Sequence, residues 1–205
     1  MNWLWFADFL KRKSLLITLL TLSPILAIIL GLTACVQHPV GDSERSRVDH
    51  RYVGMWLAEE TDDVVTLLLL RPYDARTYLA GVFRCREEDG AVEPVDHHDY
   101  KAWLTQLGGE TFVTMEPLIW AEFVGLAEKP PYLVGKIRLI DDALRLRLVD
   151  GGSEPAKSAA DSGELEAVIE KHVAQDALYV DDPVVFHKMD DTSRIERILK
   201  AFQEL

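Results

Sequence analysis

Tyr132-Leu133-Val134-Gly135-Lys136-Ile137-Arg138-Leu139-Ile140-Asp141-Asp142-Ala143-Leu144-Arg145-Leu146-Arg147-Leu148-Val149 decides the fold. On the first arm Leu133, Gly135, Ile137 and Leu139 alternate with Val134, Lys136 and Arg138, and on the second Leu144, Leu146 and Leu148 alternate with Arg145 and Arg147. A period of two on both sides of a two-residue break is the pattern of a β-hairpin. With Asp141-Asp142 as the turn, Arg138 lies opposite Arg145 and Lys136 opposite Arg147. Like charges facing one another are unfavourable, so something acidic is expected on that face. It is either the protein's own Asp and Glu or an anionic ligand, headgroup or acidic partner. Lys136, Arg138, Arg145 and Arg147 are therefore candidate ligand or partner residues.

Similar runs precede and follow the hairpin, separated by turn clusters. Strands are expected at Tyr52 to Ala58, Val64 to Arg71, Arg76 to Arg86, Asp99 to Gln106, Thr111 to Met115, Tyr132 to Ile140, Ala143 to Val149 and Val184 to Met189. The fold class is mainly β, an antiparallel meander of about eight strands, which suits a small closed barrel or a two-sheet sandwich. Gly151 to Ser158 reads as a surface loop. Two C-terminal helices follow from apolar stripes with capping-box spacing: Leu165, Val168, Ile169 and Val173 after Asp161 and Glu164, then Ile195, Ile198, Leu199 and Phe202 after Ser193 and Glu196. Both stripes read as core cover, and the terminal helix is the better of the two as an interaction face.

The N-terminus carries a different signal. Lys11-Arg12-Lys13 precedes the uncharged run Ser14 to Leu32, which suits a signal-peptide hydrophobic region or a single transmembrane helix. Leu32-Thr33-Ala34-Cys35 then resembles the lipobox of bacterial lipoproteins. That resemblance implies cleavage before Cys35, diacylation of its sulfur and acylation of the new amino terminus, an anchor that does not readily leave a bilayer. The expected division is a signal peptide over 1–34, a flexible tether over 35–49, where Pro39, Gly41, Asp42 and Ser43 break any period, and a single β-rich domain over 50–205. The localisation implied is the cell envelope, lipid-anchored on the periplasmic side. With Val36 rather than Asp after the cysteine, the outer membrane is favoured by analogy with enteric sorting. The alternative, an uncleaved helix, also exports the domain, because the cations lie before the hydrophobic run.

Charge narrows the partners. The chain has 22 Lys+Arg and 34 Asp+Glu, and residues 1–34 hold three of the cations (Lys11, Arg12, Lys13) and one of the anions (Asp8), which leaves 19 against 33 and a net charge of −14. This argues against non-specific binding to nucleic acid or anionic lipid. If Cys35 carries lipid, Cys85 has no partner in the chain, so the fold rests on its core alone. Alternation places Cys85 beside Leu79 and Phe83 as a buried structural thiol.

Gly54-Met55-Trp56 on the first long strand is similar to the Gly-x-Trp of the calycin superfamily, the lipocalins and their relatives. The resemblance implies a barrel whose base the tryptophan closes, with a basic residue from a late strand packed across it, Lys188 or Arg147 here. Chemistry is sparse. Asp96-His97-His98-Asp99 is the densest set of possible metal ligands, but adjacent strand residues point to opposite faces, and no third ligand follows at recognisable spacing. No Gly-x-Ser-x-Gly, Ser-x-x-Lys or catalytic-cysteine setting occurs. The expectation is therefore a non-catalytic accessory or interaction domain without cofactor. Its partner would be an envelope protein, and the alternative is a carrier for a small apolar or amphipathic ligand.

Overall fold

The computed structural model describes residues 35–60, 63–88, 90–118, 131–180 and 183–203, and the export segment 1–34 lies outside them. The described residues form nine strands: β1 Cys35–Val36, β2 Gly54–Glu59, β3 Val64–Pro72, β4 Tyr78–Glu88, β5 Ala91–Leu107, β6 Glu110–Pro117, β7 Tyr132–Ile140, β8 Ala143–Leu148 and β9 Val184–Lys188. The helices among the described residues are α1 Glu154–Lys157, α2 Ser162–His172 and α3 Thr192–Gln203, with a 3-10 turn at Asp176–Leu178. None of them is long and apolar enough to cross a membrane.

Strands β2 to β9 are successive antiparallel neighbours and β9 pairs back to β2, so the sheet closes into an eight-stranded barrel, the closed form of the two that the meander allowed and lipocalin-like as the Gly-x-Trp resemblance implied. The short β1 adds to β7 at Tyr132 and Leu133, just past the point where β8 stops pairing. The hairpin forms in the expected register, Arg138 with Arg145 and Lys136 with Arg147, on a turn in which Asp141 and Asp142 both take positive φ (50° and 61°). Short polar Asp side chains tolerate that left-handed region, which a two-residue hairpin of this hand requires.

Alternation divides the apolar residues among three cores. Inside the barrel Trp56, Leu68, Leu70, Tyr78, Tyr100, Met115, Ile137, Leu144 and Phe186 pack together. Outside it, α2 covers β5 to β7 with Leu165 and Ile169 against Trp103, Phe112 and Val134. On another outer face α3 sets Ile198, Leu199 and Phe202 on Leu57, Leu67, Phe83 and Cys85. The run Val65-Thr66-Leu67-Leu68-Leu69-Leu70 is apolar on both faces because β3 is covered on both. Both helix stripes are thus core cover. The α3 cap is Asp191, which accepts from the Ser193 and Arg194 amides (3.0 and 3.2 Å), where Ser193 was the expected cap.

Three expectations need correction. Residues 35–49 do not form a tether. Val36 and Val40 are buried, and the Val40 carbonyl accepts from Trp103 Nε1 (2.9 Å) and Thr114 Oγ1 (2.8 Å). Ser46 Oγ bridges to the Leu104 backbone, and the Asp49 amide and carbonyl both meet the Tyr78 hydroxyl (2.5 and 3.1 Å). The folded unit therefore already includes residues 35–49, ahead of His50, and residues 45–53 close one end of the barrel, its base, with Val48, Tyr52 and Val53 packed on the interior cluster. Strand β5 starts at Ala91 rather than Asp99. Its first half pairs with β4 alone among the described residues, across a register shift at Arg84/Cys85, and Pro94, which suits an edge, hid it from the alternation test. Residues 154–157, read as loop, form α1 under the Ser153 cap.

A chain starting at His50 would lose Val36 and Val40 and leave Trp103 and Thr114 without their acceptor. At roughly 1.5–3 kcal/mol for each buried valine, it should be less stable than a chain starting at Cys35 by about 3 kcal/mol or more. Urea unfolding of the two checks this, and equal midpoints would restore the tether.

Candidate functional site

The base of the barrel is built around Trp56. Its indole Nε1 donates to the Tyr52 carbonyl at 2.9 Å, and Lys188, its cross-strand neighbour, places Nζ 5.9 Å from the ring centroid. Gly54 sits at φ 148°, where a side chain is strained, with Lys188 Cε and Trp56 Nε1 nearest to the place a Cβ would take. Of the two basic residues named for this position, Lys188 occupies it. Arg147 lies on the outer wall instead, over the Tyr179 ring and beside Asp176.

The four cations of the hairpin do share that outer wall, and the protein supplies its own counter-charges. Arg138 pairs with Glu110, and Arg147 reaches Asp176 at 2.8 Å. Lys136 Nζ and the Arg147 guanidinium flank the Tyr179 ring at 4.8 and 4.6 Å, while Lys136 donates to the Val173 carbonyl. Desolvation lowers the Lys136 pKa, and the hydrogen bond from Arg138 holds the Glu110 carboxyl below its ordinary range. Arg145 is exposed at the tip of the wall. The repulsion implied by the register is thus absorbed internally at three of the four positions.

A larger opening lies elsewhere. Between the base-closing segment, the end of β5 and the first turn of α2 is a cleft of about 800 Å³, lined by Arg45, Arg47, Arg51, Thr105, Thr111 and Ser162 among others. Arg51 is taken up by Asp49 at 2.6 Å, and Glu166 on the cleft wall accepts the Gly41 amide at 2.8 Å. Arg45 and Arg47 are exposed and make no ion pair among the described residues. The sequence reading missed this site because its arginines fall in the stretch taken for a tether. The signal available was three closely spaced arginines, Arg45, Arg47 and Arg51, interleaved with Asp42, Glu44 and Asp49.

The remaining candidates are held apart. His97 stacks on Phe83 at 4.3 Å under Phe202, while His98 turns to the other face beside Tyr100. No group of three His, Cys, Asp or Glu among the described residues is placed to hold a metal. Cys85 is fully buried, and burial, with Glu87 adding to it, pushes its thiol up to about 11, as befits an unreactive core cysteine. Cys35 is half-buried beside Gly151 and lines a small pocket with Gln37, His38 and Lys157. Comparison with protein-family profiles, curated proteins and solved structures returned no match for this chain.

The Glu110 carboxyl, depressed in the fold, contributes stability above its unfolded value of 4.5 and loses it as pH falls through the folded value. Glu110→Gln should cost about 0.2–1 kcal/mol at pH 7, the range for exposed ion pairs. It should cost nothing at pH 2, where both forms are neutral. Urea titrations at the two pH values check this, and a cost that persists in acid would contradict it.

Proposed function

We propose that the protein is an extracytoplasmic lipoprotein, anchored through lipid on Cys35 and favouring the outer membrane, whose barrel is a non-catalytic docking domain of the cell envelope. The observation that carries this reading is the position of the arginine-lined cleft: it lies outside a barrel whose interior is occupied by its own aromatic and aliphatic side chains. Two unpaired guanidinium groups beside the hydroxyls of Thr105, Thr111 and Ser162 suit the carboxylates of an acidic segment on a partner protein. Arginine offers such groups a planar fork of donors. Asp42, Asp49 and Glu166 also line the cleft, Asp49 engaged by Arg51 and Glu166 by the Gly41 amide, so the attraction for a carboxylate is local to Arg45 and Arg47.

Reversing both charges, Arg45→Glu with Arg47→Glu, in the full chain should lower recovery of a co-purifying envelope protein at least tenfold while the thermal midpoint stays within a few degrees. Quantitative affinity purification against the unaltered chain measures this. Equal recovery by both chains sinks the proposal.

A second reading, a carrier for a small apolar or amphipathic ligand, is favoured by one observation at the end of the barrel opposite the base. There Val82, Leu133, Leu146 and Leu148 are only partly buried against the interior cluster, and Val184 is 41% exposed. Native mass spectrometry of protein purified from its own host distinguishes the two. A stoichiometric small molecule that comes off in solvent extraction supports the carrier, and a bare polypeptide leaves the docking role.

A further inference from the structure

The region that should join anchor to domain has no slack. Cys35 is itself a strand residue paired with Leu133, and a Cβ at Gly151 would overlap its carbonyl oxygen. The next residue, Val36, is buried, and four residues later the Val40 carbonyl is held by two side-chain donors. Thirty-four residues precede this point, and the apolar run among them ends at Leu32. Whether the anchor is lipid on Cys35 or an uncleaved helix ending there, it meets the folded barrel within three residues. A three-residue chain spans about 10 Å at most.

We infer that the barrel is seated directly on the bilayer in a fixed orientation, with the patch around Cys35 (Gln37, His38, Gly151 and Lys157) against the lipid surface. The inference rests on the anchored reading above. The opposite end then faces water. Strand β7 runs from Leu133, beside the anchor, to Ile140, seven residues or about 23 Å further along the strand, so the Asp141–Asp142 turn stands well clear of the membrane. The β3–β4 turn at Tyr73 and the Gly108–Gly109 turn lie at that same end by the strand registers. The partner is a lipid surface held by tethering and contact. Attraction of charge is not required, and for a domain of net charge −14 it would not be available on an anionic bilayer.

The test uses the full chain reconstituted in liposomes of phosphatidylethanolamine and phosphatidylglycerol. A fluorophore goes on single introduced cysteines, Gln37→Cys and Lys157→Cys near the anchor, Tyr73→Cys and Arg145→Cys far from it; the core thiol of Cys85 is shielded. Headgroup-attached nitroxide should quench the near pair at least threefold more than the far pair. Mass spectrometry of the N-terminal peptide is read alongside. Equal quenching at all four positions on a chain that carries the acyl mass, or retains its leader, overturns the fixed seat alone. A chain that carries neither and separates from the liposomes overturns the anchored reading and the seat with it.

Discussion

Closure at the seam between β2 and β9 is the constraint on which the rest of this structure depends. Among the described residues two ladder pairs make it, Trp56 with Lys188 and Leu57 with His187, extended by the Met189 amide donating to the Met55 carbonyl at 2.9 Å, whereas the neighbouring β2–β3 ladder has six pairs. Without them β2 and β9 would be free edges, each open to pairing with another chain. The seam is short in hydrogen bonds and is reinforced by side chains. Trp56 is fully buried at the base, tied to Tyr52 and covered by Lys188, while Phe186 on β9 enters the same interior cluster. The helices inserted before β9 are part of the same solution. Their return brings Tyr179 into a bridge with Val149, so that β9 starts where β8 ends.

A closed barrel of eight strands has an interior that side chains can fill, and this one does so with large residues. The outer wall is then left with apolar strips of its own, on β3 and β4 and on β5 to β7. The chain covers these with three pieces that are not strands: α3, α2 and the residues 36–44. Arg194 joins α3 to the wall by pairing with Glu87 and Glu59, two acidic residues that look like mere turn solvation when read in isolation. Covering segments give a small barrel more buried area per residue than its interior alone provides, which matters for a domain with no disulfide.

The parts legible in the sequence were those with a period. The β7–β8 hairpin and both helix stripes announce themselves because one face of each is buried at regular spacing, and the strand at Val64 is the exception, legible as an unbroken apolar run because both its faces are covered. Trp56 and Lys188 were legible through a resemblance, since nothing in their spacing joins residues so far apart. The N-terminal segment was illegible for a physical reason. Val36, Val40 and Tyr52 are buried singly, at intervals that match neither strand nor helix, and the chain between them is fixed by hydrogen bonds from Trp103, Thr114 and Tyr78, residues remote in sequence. Irregular structure held by distant donors leaves no local trace. The cleft shares that obscurity, because one of its walls is this segment.

Charge explains why so few surface groups stand out. In a domain with 33 acidic and 19 basic residues, most cations should find an acidic neighbour, and Arg51, Arg84, Arg86, Arg138, Arg147 and Arg194 all do. Arg84 is held by two carboxylates at once, Glu60 and Asp96. Arg45 and Arg47 make no such pair among the described residues, and neither do Arg71, Arg76 and Arg145; what sets the first two apart is their place on the wall of the cleft. The backbone around them is held in place by the Ser46 contacts to Leu104, so their positions are set by the fold and not by a search for a counter-ion. On the docking reading proposed above, a guanidinium on a segment held to the barrel would lose less conformational freedom on binding than one on a loose tether.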